Sequence, residues 1–219
     1  MASEHSAGGY RGLLVDWGGV MTSNLFTSFG AFCEGHGLDP DTIRRRFRED
    51  PDARKLLIGL ETGAVQESEF EPRFAGMLGV SPNGLIDRLF AGSSVDQEMV
   101  DAVAAARRTG IRTGLISNSW GTRRYDRELL AELFDGIVIS GEEGMRKPDR
   151  RMYELGAERI GVEATECVFV DDLPFNLTPA ADLGMATVHH VSAAETIPQL
   201  ERLLGVSLVD AAGAPVAEA

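Results

Sequence analysis

Five short runs of apolar residues punctuate the chain: GLLVD up to position 16, RTGLISNS over 112–119, GIVIS over 136–140, ECVFVDD over 166–172 and MATVHHV over 185–191. Each is short and bounded by turn-forming or polar residues, which predicts buried strands. The intervening segments carry apolar residues at three- and four-residue spacing and predict helices over 96–109, 123–133, 149–160, after position 174, and over 195–204. Nearly continuous apolar strands alternating with helices predict an α/β fold, a parallel sheet with helices on both faces.

One stretch breaks this rhythm. Residues 24–92 offer helical pieces at 41–49, 53–60 and 68–78, separated by HGLDP, ETGA and VSPNG, but no strand. This predicts a helical cap (24–92) inserted after the first strand of a core made of 1–23 and 93–219. The terminal DAAGAPVAEA reads as a weakly held tail.

Composition narrows the function. A chain of 219 residues has room for one full domain plus an insertion. The formal net charge of -13 argues against nucleic acid or an anionic membrane as partner, because both would be repelled. An anionic substrate must therefore find a local positive patch. No run approaches the roughly 18 apolar residues of a membrane span, and the first residues lack a basic-then-apolar leader. A cytoplasmic protein is expected, its oligomeric state unspecified. Cys33 and Cys167 belong to no CxxC motif and are expected as packed thiols. Lys55 and Lys147 are the only lysines among 21 basic residues, so a lysine at a strategic point is informative.

In an open parallel sheet the ligand crevice lies beyond the carboxyl ends of the strands. There the sequence puts Asp16 after the first run, Ser117 and Asn118 at the second, and Asp171 and Asp172 at the fourth, with Lys147 just before a predicted helix. Singly, these are ordinary turn and cap residues. Jointly, an acid, a hydroxyl, an ammonium and an acid pair suit a phosphoryl group and a hard divalent cation.

In order and spacing, DWGGV, LISNS, RKPD and VFVDD resemble the four signature motifs of the haloacid dehalogenase-like hydrolases. The segments CVFVDDLPFNLTPAADLGM, LISNSW and GMRKPD are especially similar to the N-terminal phosphatase domain of soluble epoxide hydrolases and its bacterial relatives. The resemblance implies a Rossmann-like core, a helical cap, Mg²⁺ and a small phosphorylated or otherwise anionic substrate. It implies Asp16 as nucleophile through an aspartyl-phosphate. Mg²⁺ would be held by Asp16, the Gly18 carbonyl and Asp172, with Asp171 a further ligand or an outer partner. Ser117, the backbone around Asn118, and Lys147 would hold the phosphoryl group, and Asn176 would position a neighbour.

Gly18 departs from the pattern, since most phosphatases of the family carry there an aspartate that protonates the leaving oxygen. General acid–base catalysis is worth about 10² to 10⁴ in rate, so its loss costs roughly 3 to 5 kcal/mol of barrier. Three readings stay open. The substrate has a leaving group that needs little protonation, such as an acyl, aryl or anomeric sugar phosphate; the cap supplies a substitute from His36 or Lys55; or the same scaffold displaces halide from a 2-haloacid, a reaction for which the Asp171–Asp172 pair has no use. A rival outside enzymology is a phosphate-binding or regulatory protein with little turnover. Trp17 and Trp120 are candidates for the site entrance, and Arg123 and Arg124 for attraction of an anion, although packing and a solvated helix start explain them equally well.

Overall fold

In a computed structural model describing residues 9–209, all five apolar runs become strands. They are β1 (Gly12–Val15), β2 (Arg112–Ser117), β3 (Gly136–Ile139), β4 (Cys167–Asp171) and β5 (Ala186–His189). All pairings are parallel, in the order β3-β2-β1-β4-β5. Register places Val15 beside Leu115 on one side and Val170 on the other. After β3 the chain crosses over β1 to start β4, so the direction of winding reverses between β1 and β4. That switch opens a crevice at the carboxyl end of β1. The terminal tail lies outside the described residues.

The helices are α1 (Leu25–Gly35), α2 (Thr42–Glu49), α3 (Pro51–Glu61), α4 (Glu67–Leu78), α5 (Leu85–Phe90), α6 (Gln97–Arg108), α7 (Arg127–Leu133), α8 (Ser140–Glu143), α9 (Arg150–Ile160), α10 (Pro174–Asp182) and α11 (Ala193–Leu204). The two-residue period of a strand decides which helices each side chain meets. Leu13 and Val15 pack with Met99, Leu130 and Leu200 of α6, α7 and α11. Leu14 points the other way, to Met152 and Tyr153 of α9 and Ala180 of α10. Both faces are thus buried, which explains why the strands read as unbroken apolar runs.

Helices α1 to α5 surround a third apolar cluster of their own, which includes Phe29, Phe32, Ile43, Leu56, Phe70, Phe74 and Leu89. The chain leaves β1 and returns to α6 through two short segments that meet as an antiparallel bridge, Thr22 against Val95. Ser23 N donates to Ser94 O (2.8 Å) and Asp96 N to Met21 O (2.9 Å).

Two helical features differ from expectation. Helix α1 has Gly30 and several aromatic and β-branched residues, all poor helix formers. Burial of Phe29, Phe32 and Cys33 and the Asn24 side chain, which accepts from Phe26 N (2.9 Å), hold it regardless. Helix α7 begins at Arg127, four residues later than expected, because Asp126 caps it by accepting from Glu128 N and Leu129 N (both 3.1 Å). Residues 122–125 form the turn before it.

Candidate active site

Asp16 follows the last residue of β1 and is 7% exposed, its amide donating to Val170 O of β4 at 2.9 Å. The chain then turns sharply, with Trp17 O accepting from Met21 N (2.9 Å) and Gly19 at φ +80°. A Cβ on Gly19 would lie 2.4 Å from Asp172 Oδ2, so only glycine lets this turn approach the end of β4. Ser117, the last residue of β2, is buried and shares a hydrogen bond with the Tyr125 hydroxyl (2.8 Å).

Asn118 reaches across to the loop carrying the lysine. Its Nδ2 donates to Lys147 O (3.1 Å) and its Oδ1 accepts from Lys147 N (2.8 Å), like one rung of a sheet. The Lys147–Pro148 peptide is cis. So held, Lys147 is fully buried, with Nζ 2.8 Å from Asp16 Oδ1 and 2.7 Å from Asp171 Oδ2.

Asp171 is saturated. Besides Lys147 it accepts from Leu173 N (2.9 Å) and from Asn176 Nδ2 at both oxygens (3.0 and 3.1 Å). Asn176 is fixed in turn by Tyr153, whose hydroxyl donates to Asn176 O (2.7 Å). Asp16 Oδ1 also accepts from Trp17 N (2.7 Å), whereas Asp16 Oδ2 and the Asp172 carboxylate accept no side-chain donor among the described residues.

One ammonium faces three acids, and the electrostatics show the imbalance. Burial raises the Asp16 carboxyl, Asp171 and Asp172 push it the same way, and Lys147 opposes them. Burial and Asp171 push Asp172 up to about 6. For Lys147, burial favours loss of the proton, but Asp16 and Asp171 outweigh it and hold the proton more tightly than usual. Ligand oxygens of Asp16, Asp171 and Asp172 lie within 4.8 Å of one another. Excess negative charge, hard oxygen donors and two uncommitted carboxylate edges fit a divalent cation of the magnesium type.

Beside Ser117 and Gly18 opens a cavity of about 320 Å³ whose walls are largely apolar, with Trp17, Leu25, Phe90, Trp120 and Tyr125 among them. Neither His36 nor Lys55 lines it. His36 stacks on Phe32 (4.2 Å between centroids) and its Nδ1 pairs with Phe32 O (2.8 Å), while Lys55 is exposed. Where a side chain on residue 18 would project, Leu25 already stands, its Cδ1 2.7 Å from an ideal Cβ. Both tryptophans line the cavity, and Trp120 also inserts among Phe29, Phe47, Phe70 and Phe90 of the helical layer, with centroids 5.3 to 5.7 Å away. Arg123 and Arg124 are committed to that layer too. Arg123 meets Glu67 at 2.8 Å and Arg124 meets Asp87 at 2.6 Å.

Two neighbours of the site, Tyr125 and Glu61, were not evident from sequence. Tyr125 burial makes its phenol a weaker acid, an effect opposed by the Ser117 bond and reinforced by Asp16. Glu61 is buried at the end of α3, its Oε2 2.8 Å from Arg146 Nε, and its backbone carbonyl accepts from Ser140 Oγ. Burial pushes its carboxyl up to about 7, against Arg146 and Lys147. No local signal marks these residues, because each acquires its partner only through the tertiary fold.

A parallel sheet with a charged cluster at its switch point is a doubly wound, Rossmann-like α/β architecture, and comparison identifies the family. The family model for haloacid dehalogenase-like hydrolases matches residues 10–184, and the chain belongs to that family of hydrolases. It is 29% identical to bifunctional epoxide hydrolase 2 of Rattus norvegicus over 134 residues, 58% of this chain and 24% of that protein. It is 42% identical over 74 residues to the sesquiterpene phosphatase astK of Aspergillus oryzae, 34% of this chain and 38% of that one. The chain spans only about a quarter of the length of the epoxide hydrolases it matches. In fold it is similar to the enzyme BT-2542 of Bacteroides thetaiotaomicron, solved with magnesium and inorganic phosphate, at a TM-score of 0.64 and 22% identity over 88% of this chain and 99% of that one.

Proposed function

We propose that this hydrolase is a Mg²⁺-dependent phosphatase of a small phosphorylated metabolite, with helices α1 to α5 acting as its cap. The observation that carries the reading is Asp16, held at one oxygen by Lys147 and Trp17 N and uncommitted at the other. A nucleophilic carboxylate needs this arrangement, with one oxygen fixed and one free to approach phosphorus in line. The phosphatase names and the magnesium–phosphate complex among its relatives support the reading.

In the first step an Asp16 oxygen bonds to phosphorus while the bond from phosphorus to the ester oxygen breaks, and its electron pair leaves on that oxygen. In the second, a water oxygen bonds to phosphorus while the bond from phosphorus to the Asp16 oxygen breaks with its electron pair on the Asp16 carboxylate, and the water proton passes to solvent or to the released phosphate. Lys147 neutralises Asp16 and Asp171 and lies beside the arriving phosphoryl charge. Ser117 Oγ, oriented by Tyr125, and backbone N–H groups near Asn118 donate to its oxygens. Asn118 itself positions the Lys147 loop. The carboxylates of Asp16 and Asp172 and the Gly18 carbonyl would hold Mg²⁺, which when bound supplies charge for the phosphoryl oxygens. Asp171, with every lone pair engaged, fits the role of an outer partner.

The test is release of phosphate from p-nitrophenyl phosphate and acetyl phosphate, with Mg²⁺ or EDTA, by the parent and Asp16→Asn. Metal-dependent turnover lost in the variant is expected. Phosphate binding without turnover of either ester would favour the non-catalytic reading that Gly18 raises, and release of halide from a 2-haloacid would favour the dehalogenase one.

A further inference from the structure

Given the phosphatase reading above, the cavity beside Gly18 and Ser117 bears on which phosphate ester the site takes. Two independent observations bear on the leaving group. The first is the Leu25 methyl that fills the space a side chain on residue 18 would take, 2.7 Å from the ideal Cβ. An apolar group stands where a proton donor would; His36, Lys55 and Glu61 do not line the cavity, and of the acids that do, the Tyr125 hydroxyl is bonded to Ser117 and Asp126 caps α7. This arrangement favours a leaving oxygen that departs as an anion stable in its own right. An alkoxide is about as basic as hydroxide, whose parent water has a pKa of about 16. A phenolate is far weaker, its parent phenol having a pKa of about 10.

The second observation is the character of the walls. Several of the polar side chains that reach the cavity are already engaged by the protein, although Ser93 and Ser94 also line it. Thr22 Oγ1 accepts from Gly19 N (3.1 Å) and donates to Ser23 O (3.2 Å), Asn118 is bonded to both sides of Lys147, and Ser117 to Tyr125. Arg124 is paired with Glu67 and Asp87, and Asp126 caps α7. A sugar would bury hydroxyl groups with few partners, at a cost of about 1–3 kcal/mol for each one unsatisfied. The remaining walls are aromatic and aliphatic, with Trp17 and Tyr125 tilted at 58° and 6.1 Å apart. A cavity of about 150 Å³ is known to take up benzene. One of 320 Å³ has room for two fused rings.

We infer that the substrate is an aryl phosphate, the phosphomonoester of a one- or two-ring phenol, whose ring lies against Trp17, Leu25, Trp120 and Tyr125. Asp16 forms its bond to phosphorus, the P–O(aryl) bond breaks with its electron pair on the phenolate oxygen, and the phenolate takes a proton from water after departure. No donor is needed in the bond-breaking step, and loss of the family's usual aspartate carries no penalty for such a substrate.

The experiment compares kcat/KM of the full chain with Mg²⁺ on phenyl, 1-naphthyl, benzyl, acetyl and glucose 1-phosphates. Phenyl and benzyl phosphate present the same ring but differ in leaving-group basicity. Phenyl is expected to exceed benzyl by at least about 10²-fold, the lower bound for an absent general acid. Benzyl phosphate should still compete with a KM-like inhibition constant, and 1-naphthyl should react at least as well as phenyl. In Gly18→Asp/Leu25→Ala, where a carboxyl is introduced and space made for it, the phenyl-to-benzyl ratio should fall by about 10-fold or more. Benzyl turnover within tenfold of phenyl, selectively lost in Tyr125→Phe, would make Tyr125 the proton donor and overturn the inference. Preference for glucose 1-phosphate or acetyl phosphate would overturn it while leaving the phosphatase reading intact. Absence of phosphate release from all five esters would overturn both.

Discussion

Replacing Lys147 by methionine keeps the stem of the side chain and removes its charge, leaving Asp16 and Asp171 buried without the ammonium now 2.8 and 2.7 Å away. Removing one member of a buried ion pair costs about 3–5 kcal/mol, because the remaining charge has no compensation. At about 2–4 °C per kcal/mol for a chain of this size, the melting temperature should fall by about 6–20 °C. The assay is urea unfolding of parent and Lys147→Met in EDTA, where no metal can mask the loss, followed by the same titration with excess Mg²⁺. A cation at 100 times its dissociation constant returns about 2.7 kcal/mol, so much of the deficit should disappear if the same carboxylates hold it. Phosphatase kcat should stay depressed by about 10²–10³, since a preorganised donor to the phosphoryl charge is gone. A variant within about 1 kcal/mol of the parent in EDTA would refute the reasoning, for the buried acids would then not depend on Lys147.

Glu61 predicts a pH effect. Its folded pKa, raised to about 7 from 4.5, means that the folded state keeps a proton the unfolded chain releases, so its contribution is complete below about 4.5 and lost as pH rises through about 7. Glu61→Gln should therefore gain stability relative to the parent between pH 5 and pH 8, by about 3 kcal/mol at most, in matched denaturant titrations. Tyr153→Phe removes the hydroxyl that donates to the Asn176 carbonyl within α10 and should cost about 0.5–1.5 kcal/mol by the same method, with a weaker Mg²⁺ response if Asn176 positions Asp171. Asp172→Asn should abolish the Mg²⁺-induced rise in melting temperature seen in calorimetry of the parent, and an unchanged rise would exclude Asp172 as a ligand.

The five strands were legible because burial on both faces leaves them uniformly apolar, and the acids, hydroxyl and ammonium at their ends were legible because a parallel sheet delivers strand ends to one edge. Lys147 stood out further through the scarcity of lysine. Helix α1 was hidden because its propensity is poor and its stability comes from aromatic burial. The actual roles of Asn118, Arg123 and Arg124 were equally hidden, since a polar residue beside a motif looks alike whether it faces a ligand or a loop 29 residues away. Gly18 announced a missing donor, but nothing in the local sequence could say that Leu25 had taken its place.

Trp120 belongs to the loop that follows Ser117 and Asn118, yet its ring is packed among the phenylalanines of α1, α4 and α5. The helical layer and the loop after β2 are thereby packed together. A displacement of the helices would have to carry Trp120 with it or unpack it, and Trp120 lies two residues from the Asn118 that holds the Lys147 loop.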